Sequence, residues 1–489
     1  MVFSSVVFLF LFLPAVLAAH ALVPRRGRNL LLLFFSLLFY AWGEAFYVIL
    51  MLGSIAMNYV FGLWVEASRK SPRHRLVLGC AIAANLGALA VFKYSSFLLA
   101  TLKAVLGDLT VFLSLVGISL ELKPVHLPIG ISFYTFQAMS YVIDVYRGQV
   151  PPEKRPVNVG LYISMFPQLI AGPIVRYRDI AAQLGCRAIT TSDFAYGVRR
   201  FIVGLGKKVL IANTLAVPAD RAFALAPDRL TPGIAWLGVV AFTLQIYFDF
   251  AGYSDMAIGL GRMFGFRFLE NFNYPYISRS IREFWKRWHI SLSSWFRDYL
   301  YIPLGGSRRS PPRVYLNLVT VFLLCGLWHG ASWTFAIWGL YHGLFLVLER
   351  VFVKDQRPSP LGPLRHIYAV VVVIVGWVLF RADTFGQALA FLGAMLGLGG
   401  TAGAGSSASA YLTSEVVLAM AAGALGSTPV VPWLAGRFRT YTSASPARGR
   451  VVLAQAGSFA ALVGLAAILV ACGMSLSAGT HNPFIYFRF

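Results

Sequence analysis

The side chain best placed to do unusual chemistry is His329, in the stretch "CGLWHGASWTF" (325–335). It follows the apolar run Val314–Trp328, which is typical of a membrane-buried segment, and lies between Trp328 and Trp333. An ionisable residue is costly in such a segment, so a functional role is the default hypothesis. The alternative is a neutral histidine that is hydrogen-bonded across helices.

A second candidate, His289, lies within "SIREFWKRWHISLSSWFRDYLY" (280–301), which has the period of an amphipathic helix. Such a helix can lie in the plane of the membrane interface or form the floor of a cleft. His289 falls at the edge of the apolar arc, where it should remain reachable; it could equally be an interfacial residue without function. Eight apolar side chains share one arc of the predicted helix: Ile281, Phe284, Trp285, Trp288, Leu292, Trp295, Phe296 and Tyr299.

Two carboxylates, Asp249 and Asp255, lie in "LQIYFDFAGYSDMAIG", and Asp249 ends an apolar run. A carboxylate there needs a partner, which the abundant arginines can supply, so a structural ion pair is the preferred interpretation. The chain has no Ser–His–Asp spacing, P-loop or G-x-S-x-G. His342 follows His329 by 13 residues and points to roughly the opposite helical face, so no metal site is predicted.

The elements that must position these side chains are membrane helices. Of the 489 residues, 58% are hydrophobic and only 12% are charged, and apolar runs long enough to cross a bilayer recur along the chain. We therefore expect an all-α, polytopic integral membrane protein that forms a single domain over residues 1–489. It should have roughly 10–14 embedded segments, some of them re-entrant.

The formal charge of +23 arises from cations in short loops between apolar runs. This pattern predicts contact with anionic lipid and cytosolic placement of the basic loops 69–75, 308–313 and 437–450, with both termini outside. Nucleic-acid binding is excluded by the same loop argument.

Three regions depart from the pattern of simple membrane spans. Residues 253–313 are the least membrane-like and are predicted to form a central interfacial or re-entrant catalytic region. Residues 399–450 form a variable loop and helix region, and residues 474–489 form a C-terminal tail.

Five segments together resemble the membrane-bound O-acyltransferase family, in the branch similar to alginate O-acetylases. They are "LPIGISFYTFQAMSYVIDVYRG", "FPQLIAGPIVRY", "FDFAGYSDMAIGLGRMFGF", "NFNYPYISRSIREFWKRWHISLSSWFRDYLYIPLGG" and "GLWHGASWTFAIWGLYHG", in family order. The resemblance covers roughly residues 1–400 and the last helix with the tail.

The resemblance implies that His329 and His289 are the catalytic histidines, on a thin membrane floor between a cytoplasmic and an outer funnel. His329 would act as general base on an acceptor hydroxyl, for which imidazole is suited because its pKa lies near neutral pH. Asp249, Trp328 and Trp333 are possible supporting residues.

The resemblance also implies the substrates and partners. We expect no bound cofactor, and acetyl-CoA or another acyl donor as substrate. The acceptor would be an exported polysaccharide such as alginate, or a cell-wall glycan, and an extracytoplasmic partner protein would complete the transfer. The chain would lie in the bacterial cytoplasmic (inner) membrane. Transfer of D-alanyl groups, or acylation of peptidoglycan, is the alternative within the family. A transporter with a histidine relay is the alternative from another class.

The tail "HNPFIYFRF" contains the pattern F-x-Y-x-x-F at Phe484, Tyr486 and Phe489. It resembles the C-terminal motif of the small partner protein in D-alanyl transfer, whose tyrosine is thought to carry the acyl group. Tyr486 is thus a possible acyl carrier. The alternative is a belt of aromatic side chains that anchors the tail at the membrane interface.

Overall fold

Helices make up the described part of the chain. The computed structural model describes residues 1–107, 126–353, 362–400, 407–444 and 447–479, and no strand occurs in these ranges. Eight of the described helices are long and apolar enough to cross a membrane, or up to nine if one bent pair is a single span. Two shorter apolar helices, Phe8–Leu22 and Phe385–Met395, accompany them. The expected all-α, polytopic membrane architecture is confirmed.

The helices of the first half begin after a π-helical turn, Phe8–Phe12. They are α1 Leu13–Leu22, α2 Arg28–Ala41, α3 Val48–Ala67, α4 His74–Leu89, α5 Ser95–Leu106, α6 Ile131–Tyr146, α7 Pro156–Ser164, α8 Phe166–Leu169, α9 Tyr177–Gly185, α10 Thr191–Gly206 and α11 Asn213–Phe223. The π-helical turns Ala90–Tyr94 and Lys207–Ala212 join α4 to α5 and α10 to α11.

The helices of the second half include the longest ones of the described chain. They are α12 Pro232–Met263, α13 Ile281–Arg287, α14 Ile290–Phe296, α15 Pro311–His329, α16 Trp333–Phe352, α17 Gly362–Arg381, α18 Phe385–Met395, α19 Ser414–Gly426, α20 Val430–Ala444 and α21 Ala447–Ser477. A π-helical turn, Arg297–Tyr301, extends α14.

Helix α12 is the centre of the molecule. Pro232 occupies its first turn, and the Thr231 side chain accepts a hydrogen bond from the Ile234 N–H, so the start has a standard cap. In the most apolar 18-residue stretch of α12, 83% of the residues are buried, whereas in that of α21 only 6% are buried. Helix α12 therefore lies inside the molecule and α21 at its periphery. The helix continues to Met263, so residues 253–263 belong to this core helix and lie inside the region predicted to be least membrane-like.

The basic segment 437–450, predicted to be a loop, is largely helical. Helix α20 runs to Ala444 and α21 begins at Ala447. The Arg437 guanidinium lies 5.4 Å from the centroid of the Trp433 ring, one helical turn away, so the cation packs against its own helix. Helices α19 and α20 are bent by 62° at the break between them.

Helices α15 and α16 form an antiparallel pair that carries His329. Their backbones approach closely at Gly326 and Gly339, since a Cβ at either glycine would collide with the facing backbone: the Phe335 carbonyl for Gly326, and the Phe322 carbonyl for Gly339. This contact lies one turn before His329 and holds α15 close to α16 there.

The continuous helix predicted over 280–301 is wrong. The chain breaks between α13 and α14, where His289 adopts a left-handed backbone with φ of 44°. The Asn271 carbonyl accepts the Ile290 N–H at 2.9 Å and the Asn271 Oδ1 accepts the Ser291 N–H at 3.2 Å, so these contacts stabilise the break.

The apolar arc of that segment is nevertheless real, because all eight of its side chains are buried. The segment packs into the core and does not lie in the interface plane. His289 is 0% exposed, so the expectation of a reachable side chain at the edge of the arc is also wrong. The cleft-floor alternative describes the segment better.

Candidate active site

His329 is the last residue of α15 and lines a cavity of about 340 Å³. The segment 126–133, before and at the start of α6, forms much of the cavity wall, together with Lys93, Ile170 and Trp328. The His329 side chain is almost fully buried, and the cavity is its access route.

His289 lies near the Trp328 indole as well. The ring centroids of His289 and Trp328 are 6.2 Å apart, and those of Trp328 and His329 are 4.9 Å apart. The structure therefore brings the two predicted histidines together around one tryptophan, although 40 positions of sequence separate them.

The hydrogen bonds of His289 define its tautomer. Asn271 Oδ1 accepts from the Ser291 N–H at 3.2 Å and from Ser291 Oγ at 2.8 Å. A backbone N–H can only donate, so this Asn271 atom is the amide oxygen, and His289 Nδ1, 3.1 Å away, must carry the proton. Its Nε2 is then a free acceptor, with no hydrogen-bond partner within the described chain.

The protonation state of His289 follows from its surroundings. Burial, and to a smaller extent the nearby His329, hold the pKa of His289 well below its ordinary value. The imidazole is therefore neutral at neutral pH. Its left-handed backbone is rare for a non-glycine residue, and such conformations concentrate at functional sites.

Aromatic rings exclude water from His329 on the side away from the cavity. Its ring centroid lies 5.2 Å from that of Trp338 and 5.4 Å from that of Phe380, in edge-to-face contacts. His329 Nδ1 is buried and has no hydrogen-bond partner among the residues that the structure places. An unpaired buried nitrogen of this kind calls for a functional explanation.

The other predicted residues have different surroundings. Asp249 forms an ion pair with Lys208 at 2.7 Å, with both side chains 2% exposed, so the structural ion pair is present but its cation is a lysine. Trp333 is 59% exposed and packs on Phe97, with ring centroids 5.6 Å apart. The possible carrier Tyr486 lies outside the described residues.

Two residues of the site were missed by sequence reasoning. Lys93 Nζ is buried beside His329 and donates to Ser132 Oγ at 3.1 Å. The lysine interrupts two apolar runs in "AVFKYSS", so the argument applied to His329 would have found it. Asn271 carried no comparable signal, because its partners come from a different part of the chain.

A second cavity, of about 360 Å³, lies beside the middle of α15, from Leu318 to Cys325. Its apolar wall includes Trp285, Phe322 and Cys325, and Cys325 is one helical turn before His329. Three basic side chains also line it: Arg282, Lys286 and Arg297. Across the described ranges, no group of three or more His, Cys, Asp or Glu side chains is placed to hold a metal ion.

This arrangement suits proton transfer at a cavity wall. An imidazole at the wall of a cavity, held by aromatic rings, can accept a proton from a hydroxyl that enters the cavity. The water-poor surroundings strengthen every charge interaction that develops there.

Comparisons with known proteins identify the family. The model of the membrane-bound O-acyltransferase family matches residues 155–385. The probable alginate O-acetylase of Pseudomonas putida is 43% identical, with 100% of each chain covered. The peptidoglycan O-acetyltransferase of Helicobacter pylori is 35% identical over 82% of this chain and 80% of its own. The teichoic acid D-alanyltransferase of Bacillus subtilis is 28% identical over 50% of this chain and 65% of its own.

The identity and coverage of the two O-acetyltransferases show the family, and the transporter alternative is set aside. The polytopic helical fold and the two histidines around Trp328 are thus parts of an enzyme, and the chain belongs to the membrane-bound O-acyltransferase family.

Proposed function

We propose that this chain moves an acetyl group from a cytosolic thioester, acetyl-CoA, across the membrane to O-acetylate an exported polysaccharide such as alginate. The observation that carries the proposal is the His329 imidazole, held by aromatic rings at the wall of a 340 Å³ cavity. The names of the relatives support an acetyl group and a glycan acceptor. The membrane would be the bacterial cytoplasmic membrane, with lipid around the exposed apolar helices.

The positions of the two cavities support access from opposite sides. Helices α4 and α15 begin next to the basic segments 69–75 and 308–313, and the cavity of His329 lies at their far ends. With these basic segments in the cytosol, the cavity opens outward, where a glycan hydroxyl can enter.

The second cavity lies nearer the cytosolic ends and presents Arg282, Lys286 and Arg297 above apolar walls. Guanidinium and ammonium groups suit the phosphates of a CoA thioester, and the apolar walls suit its acyl arm.

The reaction balances with one base. His329 takes the proton of the glycan hydroxyl as its oxygen attacks the thioester carbonyl, the C–S bond breaks, and the departing thiolate accepts that proton from His329. A positioned base contributes typically about 10²–10⁴-fold, so orientation of both substrates supplies the rest. His289, neutral and with Nε2 unpaired, is the group we propose to assist.

Transfer in proteoliposomes tests the proposal. The protein is reconstituted with radiolabelled acetyl-CoA on one side and oligomannuronate on the other, and labelled oligosaccharide is counted. We expect His329→Ala to lose at least about 10²-fold, and His289→Ala to be impaired, while both variants insert and accumulate. His342→Gln is the matched control, since His342 is buried against Trp285 and lines neither cavity.

Near wild-type transfer by His329→Ala would refute the catalytic role. Label on peptidoglycan fragments in place of oligomannuronate, or transfer from a D-alanyl carrier in place of acetyl-CoA, would assign the enzyme to another acceptor or acyl group of the same family.

As a two-step alternative to this direct transfer, we propose from the sequence pattern alone that Tyr486 gives its proton to His329, accepts the acetyl group as a phenyl ester and passes it to an extracytoplasmic partner protein. An aryl ester is a better acyl donor than an alkyl ester, because phenolate is the better leaving group.

A further inference from the structure

The last four carbonyls of a helix have no hydrogen-bond partner within it, so those at the end of α15 need donors from elsewhere. The Gly330 N–H donates to the Gly326 carbonyl at 3.2 Å, and Tyr94 Oη donates to the Leu327 carbonyl at 2.7 Å. Lys93 Nζ donates to the carbonyls of Trp328 and His329, the latter at 3.4 Å. All four carbonyls are therefore satisfied, and three of the four hydrogen bonds come from two adjacent residues, Lys93 and Tyr94.

The Lys93 ammonium has no donor left for a ligand. It has three N–H groups, and its three acceptors are the two carbonyls of α15 and Ser132 Oγ at 3.1 Å. Ser132 also accepts from Trp328 Nε1 through its own carbonyl, at 3.3 Å. One amine thus joins the start of α6 to the end of α15.

Burying a lysine side chain at the end of a helix has a high free-energy cost. The Lys93 side chain is buried and forms no ion pair with a carboxylate in the described part of the chain, and an intramembrane charge marks function by default. Its positive charge faces the negative end of the α15 dipole, where a cation is favoured. It also lies on a π-helical turn, Ala90–Tyr94, a distortion that occurs frequently at functional sites.

We propose that Lys93 is the positioning residue of the reaction: it fixes the end of α15 so that the His329 imidazole stands at the cavity wall. The inference rests on the proposed role of His329 as base. Lys93 acts through the backbone of His329 and the hydroxyl of Ser132, and it does not bind the acyl group.

Three variants separate positioning from general stability. Lys93→Met keeps length and bulk but removes the charge and all three hydrogen bonds. Lys93→Arg restores a cation with donors. Tyr94→Phe is the matched control, because it removes one hydrogen bond to the same helix end, at Leu327, and leaves His329 untouched.

The first measurement is transfer from labelled acetyl-CoA to oligomannuronate, per folded molecule. We expect Lys93→Met to lower kcat on the order of 10²-fold with KM for acetyl-CoA unchanged, because a small misplacement of a catalytic group is this costly. Lys93→Arg should recover part of the rate, and Tyr94→Phe should stay near wild type. A wild-type kcat for folded Lys93→Met, with only a lower unfolding temperature, would overturn the inference.

The second measurement does not depend on activity. Diethyl pyrocarbonate modifies accessible neutral histidines, and the modified His329 peptide can be followed by mass spectrometry. We expect His329 to react several-fold more slowly in Lys93→Met than in wild type, because its imidazole no longer stands at the cavity wall, and at the wild-type rate in Tyr94→Phe. Equal rates in all three proteins would overturn the inference. Absence of acetyl transfer by the wild type would refute the proposed function. The rate of His329 modification by diethyl pyrocarbonate would still decide the role of Lys93.

Discussion

Removing one member of the buried ion pair between Lys208 and Asp249 should destabilise the protein far more than removing both. The two charged atoms are 2.7 Å apart, and both side chains are 2% exposed. A single substitution, Asp249→Leu or Lys208→Met, leaves the other charge buried without its partner. Such losses cost about 3–5 kcal/mol.

The double variant Lys208→Met/Asp249→Leu replaces the pair with apolar side chains of similar size. Replacements of this kind are commonly neutral or stabilising, so the double variant should be close to wild type in stability. Each single variant should therefore lose several kcal/mol of unfolding free energy. The coupling free energy from the double-mutant cycle should be of similar size.

The assay is unfolding of the purified protein by SDS in mixed micelles, followed by helical circular dichroism, together with acetyl transfer. Single variants as stable as wild type, or a double variant less stable than either, would refute the reasoning. Normal transfer by the double variant would show that Asp249 supports the fold and not the chemistry. Loss of acetyl transfer by the double variant, with its stability unchanged, would show that Asp249 takes part in the chemistry.

Three further predictions follow from particular positions. Gly326→Ala should reduce the yield of folded protein in detergent, because its Cβ would collide with the α16 backbone; Gly79→Ala, where a Cβ meets nothing within 4 Å, should be tolerated. Tyr486→Phe should accumulate normally and lose transfer to the glycan, and normal acetylation by it would favour the aromatic belt. Arg309→Cys and Tyr441→Cys should react with an impermeant maleimide from the cytosolic side alone, and labelling of Tyr441→Cys from outside would reverse the assigned topology.

The membrane class and the central histidine were predictable from the sequence, because their signals are local. An imidazole after a long apolar run identifies His329 without any knowledge of its neighbours. The need of Asp249 for a cation was predictable for the same reason. That the cation is Lys208 was not, since nothing in the sequence sets the rotation of α10 and α11 against α12.

The break at His289 could not be predicted from periodicity. The segment 280–301 has a regular apolar period, and its eight arc residues are indeed buried. Asn271 stabilises the break through three hydrogen bonds. Its backbone carbonyl accepts from the Ile290 N–H, and its side-chain oxygen accepts from the Ser291 N–H and hydroxyl. This tertiary interaction outweighs local propensity, as is common in buried segments. Similarly, the partners of Lys93 on α15 are 235 and 236 residues away in sequence.

The aromatic rings around His329 also have an electrical consequence. Trp285 lines the second cavity, its ring centroid lies 5.7 Å from that of Trp338, and Trp338 lies 5.2 Å from His329 at the wall of the first cavity. With water in both cavities, the transmembrane voltage falls mainly across this thin insulating layer. Carrying one elementary charge through it changes the free energy by about 2.3 kcal/mol per 100 mV. A proton that returns to the side from which it came senses none of this voltage, whereas a proton that passes from the outer hydroxyl to the cytosolic thiolate senses nearly all of it. The dependence of transfer on membrane potential therefore reports the path of the proton.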